Sequence, residues 1–167
     1  SNAGLDIDTA SGFAYINTIH DILNFNADVT PGTAGDGASG AESYTLKPQE
    51  IAYSESGDAG QYDNSTGVYT FLADGRHLIN IHLDLRNLPN STDYVWLRVE
   101  SSHETFYGPI FRLDDLAVGA SGDINYFSYD MNCVVPAAVN ETFTAKIQVV
   151  NADTSYYING SSSYYLS

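Results

Sequence analysis

The sequence predicts an all-β fold, an antiparallel β-sandwich, on three observations. Tyr and Phe are abundant, at 13 and 7 of 167 residues, and Gly and Ser recur at short intervals as turn formers. Several windows alternate apolar and polar residues with a period of two, the spacing that sends successive side chains to opposite faces of a strand. No window longer than about ten residues carries the periodicity of an amphipathic helix.

Taken in chain order, Ser1-Asn2-Ala3 reads as the remainder of a cleaved expression tag, and residues 4–167 as one domain, with no repeat, charge run or low-complexity linker to divide them. An apolar opening runs from Phe13 to Phe25, and Thr30–Gly40, rich in Gly and small residues, is expected to be a long surface loop. The turn signal Asp63-Asn64-Ser65-Thr66-Gly67 leads into a strand over Tyr69–Leu72, with Tyr69 and Phe71 on one side and Thr70 on the other.

From Arg76 to Leu85 the alternation is clean: His77, Ile79, Ile81, Leu83 and Leu85 form a core face, and Arg76, Leu78, Asn80, His82 and Asp84 the opposite one. A strand over Tyr94–Glu100 points Val95, Leu97 and Val99 inward, leaving Trp96 half-exposed or covered by a partner. Asn125–Val135 places Phe127, Tyr129, Met131, Cys133 and Val135 on one face, and Phe143–Val149 does the same with Phe143, Ala145, Ile147 and Val149. Turns at Asp74-Gly75, Leu88-Pro89-Asn90 and Ala120–Asp123 separate these strands at a spacing that suits two antiparallel sheets packed face to face.

The charge balance excludes partners. Against 6 basic residues stand 21 acidic ones, a formal net charge of −15. Nucleic acid is not expected as a partner, because its binding rests on Lys and Arg neutralising phosphates. An anionic membrane is disfavoured for the same reason, and no apolar run approaches the roughly 20 residues that span a bilayer. With Cys133 as the one cysteine, an intrachain disulfide and a multi-cysteine zinc site are both impossible.

The stretch Tyr62-Asp63, a short turn, Thr66-Gly67, the aromatic Val68–Phe71 and then Asp74-Gly75 with an alternating strand resembles the signature of the C1q/TNF-like jelly-roll family. Asn140-Glu141-Thr142 leading into Phe143–Val150 is similar to the family's penultimate strand, and Ser155–Leu166 to its closing aromatic, serine-rich segment. The chain departs from the family at His77, where Tyr is usual, and in its short close at Tyr164-Tyr165-Leu166-Ser167. The resemblance implies a jelly roll that assembles as a homotrimer and presents loops to a ligand. Residues one, three and five after the strand-opening glycine would face the three-fold axis, making Arg76, Leu78 and Asn80, with His82 one step further, the expected trimer interface. A polar face is also what plain solvent exposure gives.

Candidate chemistry is sparse. No GxSxG elbow is present, and Cys133 sits in an apolar alternation that suits packing rather than nucleophilic attack. His77 points with the aliphatic residues and reads as a hydrogen-bonded core histidine, while His82 lies on the other face, so the two cannot chelate one ion from a single strand. His20-Asp21 and His103-Glu104 are neighbours that point apart along a strand. Asp114 and Asp115 are the first candidates for a calcium ion, which takes several oxygen ligands, with Asp6, Asp8 and Asp153 as further carboxylates; no EF-hand spacing accompanies them. Calcium is the one cofactor these carboxylates suggest, and none is required.

Trp96, Tyr156, Tyr157, Tyr164 and Tyr165 are candidates for ligand contact, because a flat ring buries apolar area while its polar atom keeps a hydrogen bond. The competing reading puts one tyrosine of each neighbouring pair in the core. Asn64, Asn90, Asn140 and Asn159 head Asn-x-Ser/Thr sequons.

The expected function is therefore a non-catalytic trimeric binding or structural head, exposed on a virus particle or a cell surface and recognising a protein or glycan receptor. Low Lys content, acidity and Tyr/Ser/Gly/Asn richness resemble phage tail, fibre or head-decoration proteins and bacterial surface proteins. One rival is a monomeric lectin-like jelly roll. A second is a hydrolase drawing its acid and base from Asp84, Glu100, Glu104, Asp114 and Asp115, whose spacing defines no pair.

Overall fold

A computed structural model describes residues 4–8, 13–17, 21–25, 44–48, 50–54, 62–89, 91–113, 124–150 and 156–160. Among these the chain is all-β, without a helix. In order the strands are β1 (Gly4–Asp8), β2 (Phe13–Asn17), β3 (Asp21–Asn24), β4 (Tyr44–Thr45), β5 (Glu50–Ser54), β6 (Tyr62–Asp63), β7 (Val68–Thr70), β8 (Gly75–Leu88), β9 (Tyr94–Ser101), β10 (Thr105–Tyr107), β11 (Phe111–Arg112), β12 (Ile124–Ala137), β13 (Thr142–Val150) and β14 (Tyr157–Ile158). The expected Thr30–Gly40 loop and Ala120–Asp123 turn lie outside the described residues.

Every strand pairing is antiparallel. The larger sheet runs β10-β9-β13-β7-β6, with β11 on β9 and β4 on β13; the smaller runs β12-β8-β14; β1-β2 and β3-β5 form separate pairs. The inward residues of the two principal sheets meet in one core, which gives the fold its sandwich character. Val95, Leu97, Val99 and Ile147 come from the larger sheet and Leu85, Tyr129, Val135 and Ile158 from the smaller, all at 0 % exposure. Each such side chain contributes roughly 1.5–3 kcal/mol on burial.

The inward face of β8 follows the sequence pattern, with His77, Ile79 and Ile81 half-buried and Leu83 and Leu85 buried. His77 is a core histidine: its Nε2–H donates to the Ala73 carbonyl at 3.0 Å and its ring lies 4.3 Å from that of Phe71. Past Leu85 the strand continues, and Asn87 takes a φ of 55°, a left-handed conformation that Asn tolerates. This re-aims the backbone, so Asn87 is exposed and Leu88 is fully buried.

The turn before β7 is built by Asp63. Its carboxylate accepts from Ser65 N at 2.8 Å, Ser65 Oγ at 2.7 Å and Thr66 Oγ1 at 2.8 Å. These donors hold the Asp63 carboxyl down at about 2. Gly67 closes the turn at φ 76°, against the Leu46 carbonyl and the Thr45 methyl.

Two expectations change. Tyr156, a candidate for ligand contact, is 8 % exposed and belongs to the core cluster; burial also raises its hydroxyl pKa. Its ring packs inward while Tyr157 stays half-buried, which is the other arrangement allowed for that pair. The strand over Phe143–Val149, whose alternation predicts one buried and one open face, is buried on both at its end, where Gln148 and Val150 on the outward face are buried as well as Ile147 and Val149.

Candidate binding surfaces

The sandwich offers an outward face on each side. On the smaller sheet, β8 and β12 pair over their full length, and their outward residues form a ladder of directly opposed pairs: Arg76 with Pro136, Leu78 with Val134, Asn80 with Asn132, His82 with Asp130, Asp84 with Ser128 and Arg86 with Tyr126. All four residues expected at a trimer interface, Arg76, Leu78, Asn80 and His82, are exposed on this face. Leu78 is 65 % exposed and Val134 48 %, an apolar pair with nothing over it among the described residues.

Polar contacts order one end of the ladder. His82 Nδ1 lies 2.7 Å from Asp130 Oδ1 and its Nε2 3.5 Å from Asp84 Oδ1, while Ser128 Oγ donates to Asp84 at 2.6 Å. The hydrogen bond with Asp130 raises the His82 pKa above its ordinary value, against a smaller opposing effect of burial. Ser128 thus serves Asp84 rather than the histidine, and no nucleophile–base pair results. Arg86 lies 5.2 Å over the ring of Tyr126, which is 67 % exposed.

On the larger sheet the register sets four cross-strand rows. Tyr94 stands between Arg112 and Val150; Trp96 faces Gln148; Arg98 stands between Tyr107 and Lys146, with Thr45 beyond; Glu100 stands between Thr105 and Thr144. Directly opposed residues share a face, so the side chains of all four rows point outward together. Trp96 is the hub. Its ring stacks with Tyr107 at a centroid distance of 5.5 Å and 29° between planes, meets Tyr94 edge-on at 6.2 Å, and its Nε1–H donates to Gln148 Oε1 at 2.6 Å. Beside these rings Glu100 bridges two cations, with Arg98 Nε at 2.8 Å and Lys146 Nζ at 2.6 Å. The Lys146 hydrogen bond leads in lowering the Glu100 pKa.

Trp96 is therefore half-buried within a strip of rings, whereas Tyr107, at 61 % exposure, offers the open ring face. Sequence reasoning missed Tyr107 and Gln148. Tyr107 sits in a strand of three residues, too short for alternation to register, and Gln148 hides opposite Ile147 and Val149 in an apolar-looking run.

Tyr164, Tyr165, Asp114 and Asp115 lie outside the described residues. Among the described residues no group of three or more His, Cys, Asp or Glu is placed to hold a metal ion, and no helix is long and apolar enough to cross a membrane. Cys133 is half-buried against the core, and burial raises its thiol pKa. Asp84 stands on the outward face of the smaller sheet and Glu100 on that of the larger. His103 pairs with Glu141 across the loops at one end. A scan against protein-family models finds no match for this chain, and neither does a search of curated proteins.

Proposed function

We propose that this chain is a non-catalytic recognition and structural head of the C1q/TNF-like jelly-roll type, which assembles as a homotrimer on a virus particle or cell surface. The observation that carries the reading is the exposed Leu78–Val134 pair on the β8–β12 outward face, one row in from its Arg76–Pro136 end. A large apolar pair in a long, otherwise polar ladder marks a surface that another chain covers. Arg76, Leu78 and Asn80, the positions that the family resemblance assigns to the axis, share that face.

Three-fold presentation explains how a domain with shallow surfaces binds usefully, since weak contacts on each subunit multiply through avidity. No cofactor is required by this mechanism. The strong acidity, −15 per chain, argues against nucleic acid as the receptor and leaves protein or glycan.

A monomeric carbohydrate-binding module is the second reading, favoured by the strip of Tyr94, Trp96 and Tyr107. Solution mass by light scattering coupled to size exclusion separates the two, measured with and without a calcium chelator. A mass of three chains supports the trimer, and its loss with chelator would bring in calcium and Asp114 and Asp115. A single-chain mass at high concentration removes the trimer mechanism and leaves the lectin-like module.

A further inference from the structure

The outward face of the larger sheet joins an aromatic strip to three basic residues. Arg98, Arg112 and Lys146, half of the 6 basic residues in the chain, stand on this face, Arg98 and Lys146 in one row and Arg112 two rows away beyond Trp96, with Glu100 as the one carboxylate among the register partners. Elsewhere the chain is strongly acidic. At physiological ionic strength charges more than about 8 Å apart are largely screened, so a ligand on this face responds to the local set rather than to the net −15.

We propose that this face binds an acidic glycan, a chain of pyranose rings carrying carboxylates, with one sugar ring laid on Tyr107 beside Arg98 and the carboxylate of a neighbouring sugar turned toward Arg112. The chemistry of the three groups fits this ligand. A pyranose presents an apolar C–H face that packs flat on an exposed ring, and Tyr107, held by its stack on Trp96, gives that surface at little cost in rotamer entropy. Arg carries a planar fork of donors matched to a carboxylate. The Glu100 carboxylate supplies a polar acceptor for ring hydroxyls beside the apolar contact. From Tyr94 to Arg98 the strip runs about 13 Å at roughly 3.3 Å per residue, enough for a short oligosaccharide.

The proposal deepens the recognition half of the proposed function by naming a ligand class, and it rests on that half alone. The two outward faces lie on opposite sides of the sandwich, so assembly through β8 and β12 leaves this face open. A monovalent sugar reads a single site whatever the oligomeric state, so failure here and failure of the trimer are separate results.

Trp96 is the only tryptophan, and its fluorescence reports the site directly. The probes are oligogalacturonate, sialyllactose and their uncharged counterparts, methyl-esterified oligogalacturonide and lactose, titrated while Trp96 emission is followed. A saturable change with at least one acidic probe is expected, at least tenfold weaker with its uncharged counterpart and weakening as salt rises. Arg112→Gln should remove about tenfold of the affinity for the acidic probe and little for the neutral one; Tyr107→Ala should weaken both. Both positions are exposed, and unchanged thermal melting of each variant establishes that it is folded. No response to any probe, equal binding of acidic and neutral probes, or binding that survives both substitutions overturns the proposal.

Discussion

The indole N–H of Trp96 on β9 donates to Oε1 of Gln148 on β13 at 2.6 Å, directly across the strand pair. The bond fixes the indole on the outward face while Val95 and Leu97 on either side of it fill the core. Gln148→Leu keeps the volume and removes the acceptor, leaving a half-buried donor without its partner. A loss of about 1–3 kcal/mol in denaturant unfolding is expected, together with a shift in the emission of Trp96. An unchanged unfolding midpoint would mean that the bond contributes nothing net.

Leu78 is exposed in the single chain, so changing it should leave the chain's own fold nearly untouched, within about 0.5 kcal/mol. Leu78→Lys would then act on assembly alone. It places an unpaired charge in the proposed contact, which costs about 3–5 kcal/mol when buried, enough to dissociate the trimer at micromolar concentration. The measurement is solution mass beside thermal melting. A trimer that persists in the variant places the interface elsewhere.

The parts of the fold legible in the sequence are those where one face is apolar and the other polar over many residues. Val95, Leu97 and Val99 all reach 0 % exposure as the alternation requires, and Tyr129 and Val135 do the same on β12. Leu88 was not legible, because its burial follows from a left-handed backbone at Asn87 rather than from the period of two. Tyr156 and Tyr157 could not be separated in advance: pairing of β14 with β8 through Tyr157–Arg86 and Ile158–Leu85 decides which ring goes inward. The candidate site was half legible. Trp96 stood out by parity, but its partners Tyr107 and Gln148 depend on cross-strand register, which a single strand's sequence does not carry.

Gly67 tests the turn that opens β7. A Cβ there would lie 2.6 Å from the Leu46 carbonyl oxygen and 2.8 Å from the Thr45 methyl, at a φ of 76°. Gly67→Ala is expected to destabilise by about 2 kcal/mol, combining backbone strain with displacement of β4. In a chain of this size that lowers the melting midpoint by roughly 4–8 °C. A variant as stable as the parent would show that β4 yields freely.

Asp63, in the same turn, links stability to acid. Its folded pKa is depressed, chiefly by the Ser65 hydroxyl and then by Thr66, from an ordinary 3.8 to about 2. A depressed carboxyl contributes stability that is present above the unfolded value and fades as pH falls through the folded one. Between about pH 4 and pH 2 the parent should therefore lose stability that Asp63→Asn, already without the charge, does not lose. Thermal midpoints across that window check it, and parallel curves for the two proteins would remove Asp63 from the acid response.

His82 gives the opposite sign at higher pH. Asp130 raises its folded pKa above the ordinary 6.5 through their hydrogen bond, with Asp84 adding a smaller electrostatic effect. A raised histidine contributes stability that is complete below its unfolded pKa and lost as pH climbs through the folded value. The groups facing it are Asp130 from β12 and Asp84 from its own strand, so protonation converts two unbalanced carboxylates into an ion-paired set on the face proposed for assembly. His82→Gln should therefore cost most near pH 5.5 and progressively less toward pH 8.5, read as the difference in urea midpoint between parent and variant. The ring protons of His82, followed by NMR, should titrate above the usual histidine range in the parent and fall back toward it in Asp130→Asn. If the urea difference is flat across that span, the His82–Asp130 pair is a contact of geometry alone and assembly through this face carries no proton linkage.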